Sequence, residues 1–196
     1  MSNRNTVTRS LHDLGAAAWF GGALMGAVGV NGAAAAVREP RDRARVASVG
    51  WAKWSPVNAA AIAAHLIGGA SILFANRRRA KHQSGVTANT VAKIIATGAA
   101  LGATAYSGAL GAKTAQADGR AVQGATEPSS ETPPEVASAQ RQLRYLQWAL
   151  PVLTGTVVIL GAQQGEQQRP REILAGFGNT LARRTRKRAL PTLSAA

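Results

Sequence analysis

Four long stretches of this chain are almost free of charge, and charge crowds the segments between them. They cover about 14–37, 56–75, 94–112 and 146–162, or 17 to 24 residues each. That is the length at which a helix crosses the hydrocarbon core of a bilayer. Backbone groups in lipid must find their hydrogen bonds within the segment, so the pattern predicts helices. The expected fold is therefore all-α, a bundle of four transmembrane helices. A soluble, alanine-rich bundle with a basic surface is the alternative.

Lys and Arg number 23 against 9 acidic residues, a formal charge of +14. Such a balance suits a nucleic-acid binder or a membrane protein with basic inner loops. With the N-terminus (1–10) inside, fourteen basic residues fall on the inner side and nine on the outer. The positive-inside rule then places both termini in the cytoplasm of a multi-pass cell-membrane protein. Trp51 and Trp54 precede the second segment, and Tyr145 and Trp148 lie at the start of the fourth. In this topology all four are outer interfacial anchors.

The apolar segments carry small residues at packing intervals. Gly22 and Gly26 form one Gly-xxx-Gly step, and Gly98 and Gly102 another. Both are expected to let helices approach closely within the bundle, or to form a docking face for another membrane protein or a second copy. "WFGGALMG" near residue 19 and "AYSGALG" near residue 105 also suggest two copies of a helix hairpin.

Between the third and fourth segments, 113–140 contains "GATEPSSETPPEV". Its Pro, Ser, Thr and Glu content predicts a flexible outer loop that packs poorly. The basic run Arg77, Arg78 and Arg79 is expected to contact anionic lipid headgroups. The tail, 166–196, combines Ile173, Leu174, Phe177 and Leu181 at helical spacing with Arg183, Arg184, Arg186, Lys187 and Arg188. That pattern predicts an amphipathic, lipid-contacting helix. No aromatic interleaving accompanies the basic runs, so nucleic acid is an unfavoured partner.

Chemistry-bearing residues are few. There is no cysteine, and there are three histidines. No nucleophile elbow, zinc-protease motif or phosphate loop is present. The reading is a non-enzyme without a cofactor. His65 lies inside the second apolar segment, seven residues after Asn58, which makes the two a polar membrane site. His12 stands at the inner start of the first segment. If the second helix ends near 75, His65 is about 15 Å from that end at helical rise, so the two histidines lie at different depths. The favoured expectation is a neutral His65 hydrogen-bonded to a neighbouring helix, against a proton gate or relay.

The stretch "HDLGAAAWFGG", 12–22, resembles the opening helix of small bacterial membrane proteins of the copper-resistance D and DUF4149 kind. The resemblance implies a small multi-pass bacterial membrane protein and a role with copper. The residues themselves contain no Met-rich or Cys motif. The function expected from the sequence is a non-catalytic accessory or scaffold subunit packed against other membrane proteins. The alternatives are a small transporter or channel-like protein using His65, and a soluble basic nucleic-acid-binding protein.

Overall fold

The computed structural model describes residues 6–80, 84–117 and 119–166, with side chains over 6–74, 88–117 and 119–163. It is all-helical, with four long helices: α1 (Thr6–Ala36), α2 (Arg43–Ala80), α3 (Ser84–Thr114) and α4 (Pro134–Glu166). Each is long and apolar enough to cross a membrane. All four exceed the apolar stretches, because the helical backbone continues through the flanking charged residues. The connection between α2 and α3 is consequently only 81–83 rather than an eighteen-residue loop. The lipid-contacting side chains expected at Arg77–Arg79, Arg183, Arg184, Arg186, Lys187 and Arg188 lie outside the described residues, as does the amphipathic tail helix.

The helices pair as hairpins, α1 with α2 and α3 with α4, and α1 joins them by packing on α4. Alanine fills most of the interior. Ala16, Ala96 and Val157 form one cluster where α1, α3 and α4 meet. Large apolar side chains point outward instead: Leu14, Ile67, Ile95 and Val152 are all more than half exposed. His12, His65, Asn89, Lys93 and Thr154 are buried. Large apolar side chains outside and small or polar ones inside suit a lipid solvent, where helices gain nothing by hiding leucine from one another.

The two glycine pairs behave differently. A Cβ at Gly22 would collide with the Trp54 indole, and one at Gly26 with the Trp51 indole. These two glycines are notches that seat the tryptophans of α2. Trp51 and Trp54 are therefore half-buried against α1. Tyr145 and Trp148 do face outward, 77% and 52% exposed. Gly98 and Gly102, expected to pack within the bundle, meet nothing within 4 Å. Gly108, which matches Gly22 in the suggested repeat, also faces open space, so the repeated glycines do not make repeated contacts.

A single π-type turn, Gly26–Val30, interrupts α1, with the Asn31 N–H bonded to the Gly26 carbonyl. The extra residue turns Asn31 inward, as such bulges re-aim a side chain. Asn31 Oδ1 accepts from Trp51 Nε1 (2.9 Å), and Asn31 Nδ2 donates to Gln147 Oε1 (2.9 Å). Helices α1, α2 and α4 are tied together at this end of the bundle.

The 113–140 segment packs, contrary to its composition. Val122 joins Ala44, Ala117 and Val136 in one cluster, and Ala125 joins Ala34 and Ala47 in another. The backbone of its loop is held by side chains of helices α2 and α4. Arg43 donates to the carbonyls of Val37 (2.8 Å) and Gln123 (3.0 Å), and Gln140 Nε2 donates to Gly124 O (3.0 Å). Side chains of the helices satisfy a backbone that forms no ladder of its own. An Arg43→Ala change is expected to cost this cap about 2 kcal/mol, the scale of hydrogen bonds from a charged donor. Limited proteolysis should then cut between 119 and 133 more than tenfold faster, a factor of ten being about 1.4 kcal/mol of opening free energy.

Candidate functional site

His12, His65 and Lys93 come from three different helices and meet in one buried group. The approach of α1 to α2 makes this possible. A Cβ at Gly15 would lie 2.5 Å from Ala61 O and 2.6 Å from His65 N. A Cβ at Gly68 would lie 2.7 Å from both His12 N and Thr8 O. Glycine is required at each position because backbone touches backbone there. The two contacts are reciprocal: the glycine three residues after each histidine lies against the backbone of the other histidine.

The imidazoles stack across this crossing, with centroids 4.1 Å apart and planes 21° from parallel. His12 Nδ1 lies 2.8 Å from His65 O, and His65 Nδ1 lies 3.1 Å from His12 O. A carbonyl oxygen only accepts, so each Nδ1 carries a proton and donates. Lys93 Nζ lies 2.7 Å from His12 Nε2. With the Nδ1 proton assigned, neutral His12 offers Nε2 as an acceptor and the amine donates to it. Helix α4 completes the enclosure, since a Cβ at Gly161 would be 3.1 Å from Lys93 Nζ. One turn before Lys93, Asn89 Nδ2 donates to Gln163 Oε1 (3.2 Å). Trp19, 1% exposed, lies 6.2 Å from the His65 ring and donates through Nε1 to Thr104 Oγ1 (3.2 Å).

The expected separation of His12 and His65 in depth is thus corrected. It assumed that α2 ends near 75, flush with the start of α1. Thr8 instead lies opposite Gly68, and α2 continues for twelve residues past that level. The stagger brings the histidines together. Asn58, the expected partner of His65, is not hydrogen-bonded to it. Its Oδ1 is buried with no hydrogen-bond partner among the described residues.

The donor set does not fit the copper role that the sequence resemblance implies. Both Nδ1 atoms are committed to carbonyls, and His12 Nε2 faces an amine that would repel a cation if charged. No group of three His, Asp or Glu side chains suited to a metal occurs among the described residues. The arrangement can instead hold and pass a proton. Nζ and Nε2 are two bases sharing one hydrogen bond. Charging both would place unit charges 2.7 Å apart, at a cost of about 6 kcal/mol for an effective dielectric near 20. Lys93 and His12 are therefore not both charged.

His12 and His65 stand out in the sequence as single residues, whereas Lys93 reads there only as one of the fourteen inner basic charges. The signal that joins them is a repeated spacing: "HDLG" at 12–15 and "HLIG" at 65–68 both place glycine three residues after histidine. Comparison with protein-family models, with curated proteins and with solved structures finds no match to this chain.

Proposed function

We propose that this chain is a multi-pass protein of the cell membrane, with both termini cytoplasmic, that transfers protons through the His12–His65–Lys93 group as a small transporter or channel-like protein. The observation that carries the reading is the convergence of three nitrogen bases from three apolar helices. Ionisable residues placed in spans, facing the bundle interior and each other, mark ion and proton pathways. The excess of basic residues on the N-terminal side supports the orientation. The reading includes no covalent catalysis and no cofactor.

The test is proton flux into vesicles containing the purified chain, driven by a potassium diffusion potential and followed with an internal pH dye. His65→Ala is expected to reduce the flux about a hundredfold, the lower end of what a positioned acid–base group contributes. Flux equal to wild type in a folded His65→Ala protein would sink the proposal.

A second reading is an accessory subunit that packs against other membrane proteins. It is favoured by one observation, the open glycine pair Gly98 and Gly102 on the outer face of α3. That reading expects a stoichiometric partner that is lost with Gly102→Leu and kept with His65→Ala. A basic nucleic-acid binder has less support, given four helices of this length and hydropathy.

A further inference from the structure

The His12–His65–Lys93 group lies toward one end of the bundle, and further buried polar side chains lie at two levels beyond it. His12 and Asn31 are 19 residues apart on α1, about 28 Å at helical rise, which is nearly the thickness of a bilayer core. At the outer level, Asn31 bonds Gln147, and Gln147 Nε2 donates to Thr126 Oγ1 (3.4 Å). Thr126 Oγ1 donates in turn to Glu127 Oε1 (2.6 Å). The Glu127 side chain is 37% exposed, so this chain of bonds reaches water.

Between the two levels are buried polar atoms that the protein does not satisfy. Asn58 Oδ1 and Ser107 Oγ have no hydrogen-bond partner among the described residues. Their height follows from their neighbours. Asn58 lies between Ala61, which faces Gly15, and Trp54, which faces Gly22, so it is level with Trp19. Ser107 is one turn outward from Thr104, the acceptor of the Trp19 indole. At the inner end, Asn89 Oδ1, one turn before Lys93, is a third buried atom of this kind. Buried acceptors without a protein partner are normally bridged by water, and each carries a desolvation cost of about 1–3 kcal/mol otherwise.

We propose that water bridges Ser107 and Asn58 into a polar track through the bundle, joining the Glu127 end to His65. The track would carry protons by exchange along hydrogen-bonded water: one proton enters at the outer end and one leaves beside Lys93, with no net chemistry. This inference deepens the proton-transfer reading and rests on it for the direction of use. The presence of water at the track can be tested by itself.

The chain has no native cysteine, so single-cysteine variants report on one position each. Thiols react with silver ion as thiolates, which form in water and not in lipid. Asn58→Cys and Ser107→Cys, reconstituted in vesicles, would be exposed to silver ion and then alkylated after denaturation. Ile95→Cys, at a lipid-facing position, is the control. The expected result is protection of Asn58→Cys and Ser107→Cys at least about tenfold faster than Ile95→Cys, following thiolate access. Rates as slow as the lipid-facing control at both positions would overturn the track. Fast reaction combined with normal flux in His65→Ala would keep the track and overturn the histidine reading instead. Should a cysteine variant fail to fold, Asn58→Leu and Ser107→Val provide a second measurement. The track expects flux reduced about tenfold or more in each folded variant, a modest loss for a broken proton path. Wild-type flux in both would overturn it.

Discussion

Replacing Gly15 with leucine should break the α1–α2 hairpin, whereas the same change at Gly102 should leave the bundle intact. At Gly15 even the first side-chain carbon would be 2.5 Å from Ala61 O and 2.6 Å from His65 N. Those are backbone atoms, so the strain cannot be relieved by rotating a side chain. The two helices must separate, and both reciprocal histidine–carbonyl bonds go with them. Overpacking alone costs about 1–3 kcal/mol, and each orphaned buried donor adds about 1–3 kcal/mol. The expected fall in Tm in detergent is about 8 °C or more, taking roughly 2–4 °C per kcal/mol for a chain of this size. Gly68→Leu should behave like Gly15→Leu, because its first carbon meets His12 N and Thr8 O. Gly102→Leu meets nothing within 4 Å and should stay within about 2 °C of wild type, as surface changes usually do. Equal Tm values for Gly15→Leu and Gly102→Leu would show that the hairpin is not built on this contact.

That contrast also shows what the sequence could and could not convey. The four helices were legible because their determinant is local: a run of apolar residues needs no knowledge of its neighbours. Glycine spacing is local too, but its meaning is not. Gly22 and Gly26 have the same spacing as Gly98 and Gly102, yet only the first pair faces another helix. Which face of α3 turns inward is decided by Ala96 and Thr104 on other positions of the same helix. The segment before α4 was misread for a related reason. Its own composition offers little to bury, but Arg43 and Gln140 reach it from the helices and satisfy its carbonyls. The histidine site was obscured by stagger. Hydropathy marks where an apolar run ends, not where the helix ends, and α2 extends through charged residues to Ala80. The matching His-x-x-Gly spacings were the only trace of the site available without coordinates.

Lys93→Arg should eliminate proton flux while leaving the fold nearly unchanged. The substitution keeps a positive charge and a hydrogen-bond donor opposite His12 Nε2. It removes the ability to give the proton up, because a guanidinium stays protonated in proteins whereas a lysine amine titrates when its surroundings demand it. A purely structural clamp needs only the donor, so it predicts normal behaviour from arginine. A relay needs Nζ and Nε2 to trade one proton, so it predicts a loss of about a hundredfold, in line with the contribution of a positioned acid–base group. Gly161 bounds the space, since a Cβ there would come within 3.1 Å of Lys93 Nζ, and the bulkier guanidinium must be checked for fit by its Tm. Lys93→Met covers that case. It is unbranched and close in length, but it leaves His12 Nε2 as a buried acceptor without its donor, at about 1–3 kcal/mol. Methionine should therefore lower the Tm by a few degrees, at roughly 2–4 °C per kcal/mol, and abolish flux, because His12 Nε2 then has no base to exchange with. Wild-type flux in a stable Lys93→Arg or Lys93→Met protein would reduce the cluster to a lock between helices. Loss of flux in both, with each protein still folded, would place the exchanged proton between Lys93 and His12.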